Sequence, residues 1–102
     1  MRRALAIDEH SYGAEHPDVA IDLNNLAQLL QDTNRLTEAE PLMRRALKIF
    51  LHFTQTTGHE HPHLRVAKNN YVGLLKQMNQ TPEQIRAQLN AIAEPFDMVM
   101  EP

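Results

Sequence analysis

The sequence predicts an all-α protein, an α-solenoid of antiparallel helix pairs, and two observations carry that expectation. The first is apolar periodicity. Val19, Leu23, Leu26, Ala27 and Leu30, then Ala39, Leu42, Met43, Ala46, Leu47, Ile49, Phe50 and Phe53, recur at spacings of three and four, which puts each set on one side of a helix. The second is internal repetition. MRRALAI at 1–7 returns as MRRALKI at 43–49, and HPDVAIDLNNLAQLLQDTN at 16–34 aligns with HPHLRVAKNNYVGLLKQMN at 61–79, sharing His-Pro, Asn-Asn, Leu-Leu and the last Asn. A helical unit repeating at this period signals a stack in which each pair buries its apolar side against its neighbours.

Residues 1–12 read as the second helix of a partial repeat, with Leu5 and Ile7 as counterparts of Leu47 and Ile49. This segment keeps the residue choices of an internal helix, so it predicts either a piece of a longer array or an end that pairs with a second copy of the chain. Tyr12 to Glu15 form a loop in which Gly13 supplies a left-handed residue. Pro17 then suits the first turn of a helix, because its missing N–H would be unpaired there in any case. Asn24, Gln28, Gln31 and Asp32 form the polar side of that helix, and Asn34 suits the left-handed turn that ends it.

Thr37 and Glu40 have the spacing of a capping box, which predicts a second helix from about Glu38, with Pro41 in its first turn and its end near Thr54. Arg44, Arg45, Lys48 and His52 form its polar side. The full repeat thus spans 16–54. After a Thr- and Gly-rich loop, 62–95 reads as a final repeat. Its first helix runs from about Pro62 to Met78, with Tyr71, Val72 and Leu75 facing in and Lys68 where Leu23 stands. Its closing helix opens with Thr81, Pro82 and Gln84 and presents Ile85, Leu89 and Ile92 to the core. Residues 96–102 form a tail whose Phe96, Met98, Val99 and Met100 predict partial folding back onto the stack.

At these positions the chain resembles the tetratricopeptide repeat. Leu23, Leu26, Ala27 and Leu30, the turn at Asn34, then Ala39, Met43 and Ala46 follow the W-x2-L-G-x2-Y…A-x3-F spacing, with Leu, Met and Asn in place of its aromatic and glycine residues. LNNLA, LTEAEPL, RRALKI and the leading His-Pro resemble the kinesin-light-chain kind in particular. The resemblance implies a right-handed superhelix of about two and a half repeats. It also implies that the first helix of each pair lines a concave surface, placing Ile21, Asn24, Asn25, Gln28 and Gln31, with Val66, Asn69, Asn70, Gly73 and Lys76, on that side. Paired carboxamides offer donor and acceptor together, which suits the backbone of an extended peptide or a partner helix; the competing role is pairing with backbone groups between helices. Gly73 removes a side chain there and lets a ligand approach.

Composition narrows the function. With 102 residues and a net charge of -3, neither nucleic acid nor an anionic membrane is an expected partner. Its lack of cysteine excludes disulfides within it and suits a reducing, cytoplasmic setting. His59, His61 and His63 alternate beside Glu60 and offer metal-ligand chemistry, but alternation at a helix start predicts that the rings splay apart. No glycine-rich phosphate loop, G-x-S-x-G, H-E-x-x-H or cysteine nucleophile occurs, so no catalytic residues and no cofactor are expected. The partner expected is a protein or peptide, with a homo-oligomer as the other reading.

Overall fold

The structure is a computed structural model, and it describes residues 16–96 together with Met98 and Met100. The expected helix at 1–12 and the Gly13 loop lie outside the described residues. Four α-helices follow one another: α1 (Pro17–Asp32), α2 (Leu36–Thr57), α3 (Leu64–Gln77) and α4 (Pro82–Ala93), then a 3-10 turn at Glu94–Phe96. No strand occurs among the described residues. α1 pairs with α2, and α2 is the hub, touching α3, α4 and the 3-10 turn as well as α1.

α1 begins at Pro17, as its chemistry requires, and His16 caps it: Nδ1 of the ring accepts the backbone N–H of Asp18 at 3.1 Å. Val19, Leu23, Leu26, Ala27 and Leu30 are all buried, with Ala20 beside them. Asn34 turns the chain at φ 62 and Asn79 repeats the turn at φ 65, so the shared asparagine of the two repeats does one backbone job in each.

The start of α2 differs from the capping-box expectation. The helix opens at Leu36 with Arg35 in the cap position and no side-chain cap bond. Both acids near this end are engaged elsewhere. Arg35 Nη2 donates to Glu38 Oε1 at 2.8 Å, and Glu40 Oε2 accepts the Tyr71 hydroxyl at 2.6 Å. Pro41 therefore sits in the second turn, not the first, and is exposed, as is Thr37, whose carbonyl loses its usual donor. α2 also runs past Thr54 to Thr57. The hydroxyls of Thr54 and Thr57 bond back to the carbonyls of Phe50 and Phe53 at 3.0 and 2.8 Å, and Gly58 at φ 75 closes the helix.

α3 starts two residues later than expected because 62–63 form a turn closed by Leu64 N–H to His61 C=O at 3.0 Å. α4 has the expected capping box: Thr81 Oγ1 accepts from Gln84 N–H at 3.2 Å and Gln84 Oε1 accepts from Thr81 N–H at 2.8 Å. It buries Ile85, Leu89, Ile92 and Ala93 and exposes Glu83, Gln84, Arg86 and Asn90, a polar outer side. In the tail Met100 is buried, and Phe96 and Met98 pack against the core.

The core joins Leu23, Met43, Leu47, Phe50, Tyr71, Leu74, Leu75, Ile85 and Leu89 without a buried charged residue among the described positions. Ala27, Ala39, Ala46 and Ala67 are at most 2% exposed, and their small side chains let neighbouring helix axes approach closely. Leu51 is buried too, although it stands off the stripe of α2. A helix surrounded by α1, α3 and α4 has more than one buried side.

Candidate functional site

The first helices of the two pairs, α1 and α3, border a groove of about 150 Å³ lined by Ile21, Asn24, Asn25, Gln28, Phe50, His63 and Val66. Five of these are residues that sequence placed on the concave side. Ile21, Asn24, Asn25 and Gln28 stand on α1 at helical spacing, and Val66 faces them from α3 with 49% of its surface exposed.

The other expected residues lie along the same helices without lining this groove. Gln31 Nε2 donates to Gln77 Oε1, a side-chain link between the far ends of α1 and α3. Asn69 and Lys76 are exposed, and Gly73 is half-buried with open space where a Cβ would sit. Asn70 is half-buried, and its Nδ2 is shielded from solvent without a hydrogen-bond partner. Asn24 Oδ1 is in the same condition, and so is Asp22 Oδ2 two residues earlier. The competing role for the amides, pairing with backbone groups between helices, is thus not filled by these two atoms.

Phe50 and His63 are groove residues that sequence reasoning missed. Phe50 belongs to the apolar stripe of α2 and was assigned wholly to the core. His63 stands on sequence at the start of the expected helix, weighed only as one of an alternating histidine run, yet it lies three residues before Val66, the spacing that puts both on one side of a helix. That spacing was the available signal.

The histidine run behaves differently from the expected splaying. The rings of His61 and His63 stack with centroids 5.6 Å apart, and His61 also lies 4.8 Å from Phe50 and 5.0 Å from Phe53. The aromatic pair supplies an apolar platform, so the rings gather on it. His61 Nδ1 accepts the backbone N–H of His63 at 3.1 Å, the bond that His16 makes to Asp18. The repeated His-Pro is therefore a ring-capped turn. Burial, with help from His63, pushes the His61 imidazole below its ordinary range, against a weaker opposing pull from Asp18. Among the described residues no three His, Cys, Asp or Glu side chains gather to hold a metal ion.

The chain has paired helices, alanine contacts between them and a groove bordered by first helices, and a family model for the tetratricopeptide repeat matches residues 1–52. The chain belongs to the tetratricopeptide repeat family. No curated protein sequence matches it. Tetratricopeptide repeats generally mediate contacts between proteins, and they are typically non-catalytic. No described helix of this tetratricopeptide chain is long and apolar enough to cross a membrane.

Proposed function

We propose that this chain is a non-catalytic scaffold that takes an extended peptide, or a helix of a partner protein, along the groove between α1 and α3. The observation that carries the reading is the unpartnered amide chemistry at that place. Asn24 lines the groove, and no hydrogen bond within the described residues holds its Oδ1, so turning the amide toward a ligand breaks nothing. An unpaired buried polar atom costs about 1–3 kcal/mol, and a ligand that pairs it recovers part of that. Asn70, outside the groove lining but one turn beyond Val66 on α3, adds an unpaired donor, Nδ2, for a peptide that runs on past the groove. One acceptor and one donor on facing helices match the alternating N–H and C=O groups of a peptide, while Ile21, Phe50 and Val66 offer apolar contact.

Selection from a displayed peptide library tests this. Peptides captured by the unaltered chain are expected to lose binding to the Asn24→Ala/Asn70→Ala variant, whose melting temperature stays within a few degrees. Undiminished capture by the variant would overturn the reading, and so would a collapse of melting, which would make the amides structural.

The kinesin-light-chain-like kind is the proposed subtype, supported by LNNLA, LTEAEPL and the ring-capped His-Pro that occurs at both His16 and His61. A cytoplasmic setting fits the absence of cysteine. Self-association through unpaired ends of the stack is the alternative. The polar outer side of α4 does not favour it at that end, and sedimentation over a dilution series decides, since a stable oligomer hiding the groove would replace the scaffold reading.

A further inference from the structure

α3 borders two concave places, and the second has a different chemistry. Away from the amide groove, a cavity of about 390 Å³ is lined by Leu51, Thr54, Glu60, Leu64, Arg65, Lys68, Met98 and Met100. Leu51 and Met100 are almost fully buried, and with Leu64 and Met98 they form the apolar part of a wall that Thr54, Glu60, Arg65 and Lys68 complete with polar groups. Its volume is in the range of small-molecule sites. Arg65 and Lys68 lie three apart on α3, hence on one side of it. Neither makes an ion pair among the described residues, whereas Arg35 and Arg44 are paired with Glu38 and Glu40. Against these two cations stands, among the described lining residues, one carboxylate, Glu60.

The geometry points to a binding site for a medium-chain aliphatic carboxylate, its alkyl chain among Leu51, Leu64, Met98 and Met100 and its head group at Arg65 and Lys68. Two features select this class. The surplus positive charge of the described lining residues favours an anionic head and disfavours an ammonium. Among the described residues the lining offers a single neutral polar side chain, Thr54, whose hydroxyl already donates to the Phe50 carbonyl, so a polypeptide backbone entering here would find few partners for its N–H and C=O groups, while an alkyl chain needs none. The carboxamide groove is the reverse case, rich in groups that pair with a backbone. Methionine side chains adapt their shape to an alkyl chain at little cost, which suits the two that close this cavity. The site shares no residue with the groove, so it stands or falls independently of the scaffold reading.

Decanoate, decanol and decylamine, each kept below its micelle-forming concentration, are titrated into the chain while the methionine methyl resonances are followed. Decanoate is expected to shift Met98 and Met100 saturably and to leave Met43, buried on α2, unmoved; decylamine is expected to shift neither. Arg65→Gln/Lys68→Gln, two changes on the solvent-facing side of α3, is expected to weaken decanoate by roughly tenfold with helicity retained. Equal midpoints for decanoate and decanol, an unweakened double variant, or no saturable shift at Met98 and Met100 would each overturn the assignment.

Discussion

His61 and His63 are bound through the backbone of one and the ring of the other: Nδ1 of His61 accepts the His63 N–H at 3.1 Å while the two rings stack. An imidazole can accept at Nδ1 only while that nitrogen is unprotonated, so the turn before α3 requires the neutral ring. Since His63 also lines the groove, the turn couples the state of His61 to the shape of the candidate site.

A pH dependence follows, with a definite sign. In the folded chain burial and His63 hold the His61 imidazole below its ordinary range, while in the unfolded chain it titrates near ~6.5. Below about 6.5 the unfolded state therefore binds more protons, and the stability contributed by the neutral ring, full above that value, is lost as pH falls toward the depressed folded value. Thermal melts across mildly acidic pH are expected to show a decline that is reduced in His61→Asn, which keeps a side-chain acceptor but does not titrate. An unchanged decline in that variant would assign the effect to other groups.

Tyr71 and Glu40 tie α3 to α2 by a 2.6 Å bond to a carboxylate, with the ring fully buried. Burial and the Glu40 carboxylate both push the phenol above its ordinary range, so it remains a donor at any working pH. Tyr71→Phe deletes the donor and leaves the half-buried Glu40 with Arg44, at 3.5 Å, as its partner among the described residues. A loss of about 1–2 kcal/mol in urea unfolding is expected, on the range for bonds to charged groups reduced for partial exposure.

That bond also shows what sequence reveals and what it hides. The turns at Asn34 and Asn79 and the Thr81 box were legible because each is decided by neighbours in the chain. Thr37 and Glu40 have the same spacing as Thr81 and Gln84, yet no box forms, because Glu40 is taken by a tyrosine far along the chain. The groove was legible as a stripe on each first helix, through Asn24, Gln28 and Val66. It was not legible as a set of walls, since Phe50 reaches it from the second helix and His63 from a turn. The cavity under Met98 and Met100 depends on where the tail lands, which no local pattern states.

The two described glycines give opposite expectations. Gly58 holds φ 75, and no atom lies within 4 Å of where its Cβ would be, so the effect of Gly58→Ala is purely backbone. It is expected to lose about 1 kcal/mol. Gly73 lies inside α3 with the same open surroundings, and Gly73→Ala is expected to gain about 0.5–1 kcal/mol by raising helix propensity. Paired denaturant melts check both signs. A destabilised Gly73→Ala would show that this position resists a side chain for a reason its surroundings do not reveal.

Asn24 offers the sharpest separation of stability from recognition. Its Oδ1 is shielded and unpaired, so Asn24→Ala removes a group that is costly to bury and breaks no hydrogen bond of that oxygen. Alanine also has the higher helix propensity, and both effects point the same way. The expected result is a change between neutral and about +1 kcal/mol of added stability, read from denaturant midpoints at constant slope. Leu26, two residues on and 6% exposed, provides the contrast: Leu26→Ala is expected to lose about 2–5 kcal/mol, because it opens a cavity in the seam of α1. An amide kept at a cost to folding is retained for something other than folding. If Asn24→Ala instead lost stability on the scale of Leu26→Ala, the side chain would be holding the helices together, and the groove would lose the feature on which its proposed role depends.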